Sequence, residues 1–220
     1  MMIQFIEINT CRRAIMEFVY VVKRYDLFNL AFPHGFHLGE RDGTLPSFLE
    51  RIRNNGFFIE RRFTEEDSGF KQIIPYAIVA HEDRVLLLKR TSEQGEARLH
   101  NKLSIGVGGH INPVDRAEDV LLQGCFREIE EEIFIEEDFE PTPMGYINDE
   151  SNAVGSVHFG VVFMVKLNSD RVQVKETSMM TGEFVAWKDL KEMAYKPEYN
   201  FESWSSLIIQ SPDLDTHFTR

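Results

Sequence analysis

Residues 103–135, LSIGVGGHINPVDRAEDVLLQGCFREIEEEIFI, constrain the fold more than any other stretch of this chain. A β-prone Leu-Ser-Ile leads into three glycines within four positions, and a long run of helix formers follows. Glycine admits close backbone approach and positive φ, so the pattern reads as strand, glycine loop, helix. Asp115 and Glu118 have capping-box spacing, which places the helix from Arg116 to about Ile135. Leu122, Cys125, Ile129 and Ile133 recur at steps of three, four and four, forming one apolar face. Glu128, Glu131 and Glu132 share a neighbouring face, and Glu130 projects to the other flank as a solvated residue.

Three carboxylates on one helix face repel one another by a few tenths of a kcal/mol per pair, roughly, and lie too far along for the helix dipole to relieve them. Mg²⁺ or Mn²⁺, which favour carboxylate oxygens, would compensate. An acidic surface balanced by Arg116 and Arg127 accounts for the spacing equally well. The glycine loop favours the cation, because the Gly109 carbonyl and the acidic face can meet at one pocket. The loop lacks both the G-K-[ST] of a Walker loop and the G-x-G-x-x-G of a dinucleotide site.

The rest of the chain suits a mixed α/β domain. Strands are expected at 18–22, across 57–63, on either side of a hairpin at 80–83, at GYIND, and through residues 155–167. Residues 46–56 suit a short helix ending at glycine, and residues 25–44 read as irregular. EFVAWKDL reads as a strand running into a helix, and FESWSSLIIQ as a terminal helix. The net charge of −12 argues against a broad nucleic-acid footprint but not against a small anion held through a metal. Cys11 and Cys125 suggest neither a disulfide framework nor a metal-ligand pair, and Cys125 belongs to the packed helix face. No secretion signal or membrane span stands out, so the expected location is cytoplasmic, with no membrane partner.

Arg127-Glu128-Ile129-Glu130-Glu131-Glu132 and Gly109 together resemble the box of the Nudix hydrolase family. That box runs Gly, five residues, Glu, seven residues, Arg-Glu-aliphatic-any-Glu-Glu-any-Gly-aliphatic. Three positions depart from it: Asp119 stands for the first glutamate, Phe134 for the late glycine, and Gly109 and Asp119 are ten apart where the box has six. The four extra residues are either one added helical turn or an altered loop. Together with GEARLHNKLSIGVGGHIN and VHFGVVF, the arrangement is similar to a little-described group of predicted phosphoesterases in the family.

The resemblance implies an α/β/α sandwich with a mixed sheet over residues 73–195, an accessory N-terminal α+β segment at 1–72, and a helical extension at 196–220. It implies Mg²⁺ or Mn²⁺ held by Glu128, Glu131, Glu132 and the Gly109 carbonyl, with Arg127 and Asp119 in structural or orienting roles. Glu128, Glu132 and Glu176 are its candidate catalytic groups, with Glu150 and Glu183 as other sources of an extra ligand. His110, Lys89, Arg98, Lys102 and His158 are candidates for substrate contact.

The implied reaction is hydrolysis of a phosphoanhydride bond in a nucleoside diphosphate-X compound or a related small diphosphate. The implied partner is a small phosphorylated substrate, with a nucleotide and a homodimer both compatible. Two other functions compete on the same fold. One is a noncatalytic nucleotide-binding regulatory module. The other is an isoprenoid diphosphate isomerase, for which no catalytic cysteine is evident.

Overall fold

Period-two alternation in the longest strands divides the core into two layers. In the computed structural model, which describes residues 16–28, 32–39, 43–91, 102–115, 118–175, 177 and 180–218, β4 (Phe70–His81) is the central strand. Its Ile73, Ala77 and Val79 enter one apolar cluster, and Tyr76, Ile78 and Ala80 enter the other. β5 (Arg84–Arg90) and β10 (His158–Leu167) alternate in the same way. Strands apolar on both faces need a covering layer on each side.

The first layer contains α1 (Arg24–Phe28), α2 (Leu45–Asn55) and α3 (Val120–Glu132). The second contains α5 (Trp187–Met193), α6 (Ser203–Gln210) and α7 (Asp215–Phe218). The result is the mixed α/β/α sandwich expected from the sequence.

The sheet runs β12 (Met180–Ala186), β5, β4, β10, β9 (Thr142–Asn148), β2 (Gly35–Leu38). Only β4 and β10 pair in parallel on this path. β1 (Phe18–Lys23) bridges β4 and β3 (Phe57–Glu60). Short strands β6 (Leu103–Ser104) and β7 (Val107–Gly108) join β5 and β4. β8 (Ile133–Ile135) and β11 (Val172–Val174) form a separate ribbon. Among the described residues, no helix is long and apolar enough to cross a membrane.

Several local expectations are corrected. The acidic helix starts at Val120, with Asp119 as its cap accepting from the Leu122 amide. The capping box at Asp115 and Glu118 does not form, because Asp115 is engaged by Arg127. The helix therefore gains no added N-terminal turn reaching back to Asp115. The helix stops at Glu132, where the β-branched Ile133 turns extended and opens β8. Phe134 pairs with Gln173 at the surface. A strand needs no left-handed residue there, so the missing glycine is no obstacle. The strand expected through 57–63 ends at Glu60 and continues as a 3-10 turn. Residues 153–157 form the short helix α4 (Ala153–Val157), capped by Asn152. Residues 25–44 include α1 and β2.

Lys71 is fully buried where β1, β4 and α4 meet. It donates to the Gly155 and His158 carbonyls and pairs with Glu150 at 2.8 Å. Glu150 also pairs with Arg24 at 2.6 Å. Burial lowers the Lys71 pKa to about 8 against the opposing pull of Glu150. Removing one member of such a pair strands the other charge. Glu150→Ala is therefore expected to lose on the order of 3–5 kcal/mol in urea unfolding at neutral pH. A negligible loss would show that Lys71 sheds its proton instead.

Candidate functional site

The glycine loop and the acidic helix meet where β7 pairs with β4. A Cβ on Gly108 would strike the Pro75 carbonyl, and one on Gly109 would overlap the Glu128 carboxylate. At Gly108 the obstacle is backbone and only glycine fits, whereas at Gly109 it is the end of the Glu128 side chain, which shows how closely the loop backbone lies against the acidic face of α3.

Arg127 ties the two together. Its Nε donates to Asp115 Oδ1 at 2.9 Å, and Nη2 donates to Asp115 Oδ2 at 3.0 Å and the His110 carbonyl at 2.7 Å. Nη1 donates to Glu128 at 2.7 Å and Glu131 at 3.1 Å. The five donors of a guanidinium thus meet five acceptors. Burial alone would lower the Arg127 pKa, but Asp115 and Glu128 raise it, so its charge is permanent. Asp115 also accepts from the Asn112 amide at 2.8 Å, which fixes the loop between Gly109 and the helix. Counted from Gly109, Asp115 rather than Asp119 lies six positions on. The geometry gives Asp115 the arginine contact and leaves Asp119 as the helix cap, 3.7 Å from Arg53.

The three helix carboxylates have different environments. Glu131 is exposed beside Arg127. Burial raises the Glu128 pKa, opposed by Arg127 and reinforced by Glu131 and Asp115. Glu132 lies 3.5 Å from Arg90. Burial lifts its carboxyl to about 7; Arg90 pulls it down, and Glu128 and Glu202 push it further up. Among the described residues, Glu132 Oε2 is one of three buried side-chain polar atoms with no hydrogen-bond partner. Buried polar atoms are rarely left unsatisfied. An orphan carboxylate oxygen close to other carboxylates is the kind of donor that a hard divalent cation takes. No three His, Cys, Asp or Glu side chains among the described residues already surround one metal-sized point. Glu128 and Glu132 turn toward arginines instead.

His110 and His158 stand Nε2 to Nε2 at 3.2 Å, and His158 Nδ1 lies 2.7 Å from the Val154 carbonyl. A carbonyl only accepts, so His158 carries its proton on Nδ1 and accepts at Nε2 from His110. Burial lowers both pKa values, that of His110 to about 3. The pair is neutral at ordinary pH, and both of its N–H donors are already committed, so it offers a phosphate neither charge nor a free donor.

Lys89 is exposed on β5 beside Thr181, and Lys102 is partly buried, its carbonyl accepting from the Arg90 amide. Glu150 is committed to Lys71 and Arg24, and Glu183 is exposed on β12. Arg98, Glu176 and Arg116 lie outside the described residues. Cys125 is buried, and burial pushes its thiol up, so it is a poor acid or base for an isomerase.

Sequence reasoning missed Glu202. Its Oε1 accepts from Tyr76 at 2.6 Å, Ser104 at 2.6 Å and Ser205 at 3.0 Å. The Glu202 amide donates to the Leu103 carbonyl, and the Leu103 amide to the Asn200 carbonyl. Nothing local in FESWSS announces this pairing with a strand far earlier in the chain.

No protein-family model matches the chain. It is 35% identical over 203 residues to Protein YmaB of Bacillus subtilis (strain 168), covering 88% of this chain and 96% of that protein. The crystal structure of Tm1382, classed with the Nudix hydrolases, superposes with a TM-score of 0.73 at 30% identity, covering 88% of this chain and 96% of that one. A MutT protein from Methanosarcina mazei Go1 is more distant, with a TM-score of 0.46, 20% identity, and coverage of 67% of this chain and 95% of that one.

Proposed function

The chain belongs to the Nudix hydrolase family, and from that premise we propose that it is a divalent-metal-dependent hydrolase cutting a phosphoanhydride bond in a nucleoside diphosphate-X compound or a related small diphosphate. The observation that carries this reading is the buried, unpaired Glu132 Oε2 beside Glu128 and the Gly109 cradle. Glu128, Glu132 and the Gly109 carbonyl would hold Mg²⁺ or Mn²⁺, with Glu131 joining from the exposed side. The cation, when bound, would lower the pKa of water and neutralise charge developing on phosphorus.

The chain's own residues supply positioning. Arg127 holds the loop, Glu128 and Glu131 in one frame, as residues behind metal ligands commonly do. Asp115 fixes Arg127 in turn. Arg90 offsets the Glu132 charge and would be freed toward phosphate if Glu132 swings to the cation. Glu128 and Glu176 are the candidates for taking a proton from the attacking water, a role that needs an ionised group within reach of that water.

A product-resolved hydrolysis screen tests the reading. Wild-type protein and folded Glu132→Gln would be incubated with nucleoside triphosphates, ADP-ribose, dinucleotides, nucleotide sugars and non-nucleotide diphosphates, with Mg²⁺ or Mn²⁺. The expected result is a metal-dependent product from the wild type that the variant fails to make. No turnover by folded, metal-loaded wild type would favour a noncatalytic nucleotide-binding module. A carbon-bond isomer formed without phosphate release would favour the isomerase.

A further inference from the structure

We propose that Lys175, at the end of β11, is a positioning residue of the candidate site: it fixes the last turn of the acidic helix and thereby the setting of Glu132 against Arg90. The inference rests on the metal-dependent reading above. α3 ends in an unfavourable setting. It has no basic residue in its last turn, and Glu130, Glu131 and Glu132 stand where the helix dipole is already negative. The final carbonyls of a helix also need donors from outside its own ladder. Lys175 supplies two of them. Its amide donates to the Glu132 carbonyl at 2.9 Å, and its Nζ donates to the Glu130 carbonyl. A lysine ammonium placed there satisfies an orphan carbonyl and opposes the negative end of the dipole at once.

The ribbon delivers this group to the right place. Val174 of β11 lies opposite Ile133, the residue at which α3 ends, so Lys175 arrives beside the last turn. Val174 also packs on β12, where a Cβ added to Gly182 would come within 2.9 Å of its side chain. β12 pairs in turn with β5, Met180 opposite Arg90, and Arg90 lies 3.5 Å from Glu132. Lys175 and Met180 therefore hold the backbones of the two partners in that ion pair. Without the grip of Lys175 the last turn is free to fray, and Glu132 loses its fixed place relative to Arg90.

The test compares wild type with Lys175→Met, Lys175→Arg and Arg171→Met, the last removing an exposed cation from the start of the same ribbon. In metal-free protein, hydrogen exchange at the amides of residues 130–133 is expected to be several-fold faster in Lys175→Met only. Mn²⁺ binding, followed by electron paramagnetic resonance of the free ion, is expected to weaken about 10-fold in Lys175→Met. Lys175→Arg and Arg171→Met should bind as wild type does. The sign is decisive, because removing a nearby positive charge by itself strengthens the attraction for a cation. Metal-free melting curves check the fold; should Lys175→Met fail to fold, Lys175→Gln is expected to shift exchange and affinity in the same directions. Faster exchange with unchanged or tighter Mn²⁺ binding would make Lys175 a helix cap alone and overturn its positioning role, leaving the hydrolase reading standing. Equal weakening in Lys175→Arg would overturn the part assigned to the charge. A wild type with no saturable Mn²⁺ binding would overturn the cation site itself, and this role with it.

Discussion

Glu132→Gln is expected to lower metal-dependent turnover about a thousandfold, equivalent to about 4 kcal/mol of barrier, while making the metal-free protein more stable at neutral pH and above. The two effects have one cause. Burial raises the Glu132 pKa from 4.5 to about 7, so the folded state holds this proton more tightly than the unfolded chain does. The stabilisation from that proton is complete below the unfolded value and is lost as pH rises through 7. From these pKa values the loss is on the order of 3 kcal/mol. Gln has no charge to desolvate, so the variant escapes the loss. Melting curves of metal-free protein between pH 4 and 8 should therefore fall for the wild type and stay flatter for the variant. Parallel curves would remove Glu132 as the source of the pH dependence, whatever the activity result.

Asp115→Ala should be the most damaging carboxylate substitution for stability in this region. Asp115 is buried and accepts two charged hydrogen bonds from Arg127 and one from the Asn112 amide. Its loss leaves a largely buried guanidinium short of two acceptors and frees the loop after Gly109. Breaking such a pair costs about 3–5 kcal/mol. Asp119→Ala removes only a helix cap and a long contact to an exposed Arg53, worth about 1 kcal/mol. Urea unfolding of the two variants separates the readings: equal losses would mean that Asp115 does not carry the junction. Activity should follow the same order, because Arg127 orients Glu128 and Glu131 only while Asp115 orients Arg127.

Residues 115 and 119 also show where sequence reasoning stops. Both suit a helix start, and the box can be counted forward from Gly109 or back from Arg127. Which acid faces Arg127 depends on the path of the intervening loop, a tertiary fact. The sheet was far more legible, because apolar residues on alternate faces of β4, β5 and β10 are set by the two-residue strand period. The face shared by Glu128, Glu131 and Glu132 was equally plain from the helical period. The end of α3 was legible in principle, since Ile133, Phe134 and Ile135 are β-formers, but the longer helical pattern overrode that signal. The one-turn α4 was hidden by a β-rich continuation, and its evidence is a single Asn152 cap. Glu202 was not legible at all. Its place follows from contacts with Tyr76 and Ser104, 126 and 98 residues away, and no local pattern encodes those.

The parallel pairing of β4 with β10 has a kinetic consequence. His81 and Leu167, which face each other at its end, are 86 residues apart. Closing a loop grows dearer only slowly with length, by about 0.6 kcal/mol per doubling, so this topology weighs little on equilibrium stability. Its weight falls on rate, because such pairings must find each other before any contact rewards them. The candidate site stands one step further along. Arg90, Gly109 and α3 can gather around β4 and β5, but Glu202 reaches Tyr76 only once the last part of the chain has docked. In a refolding chain, the hydrogen bonds that fasten the C-terminal segment to the strand before the glycine loop would be among the last to return.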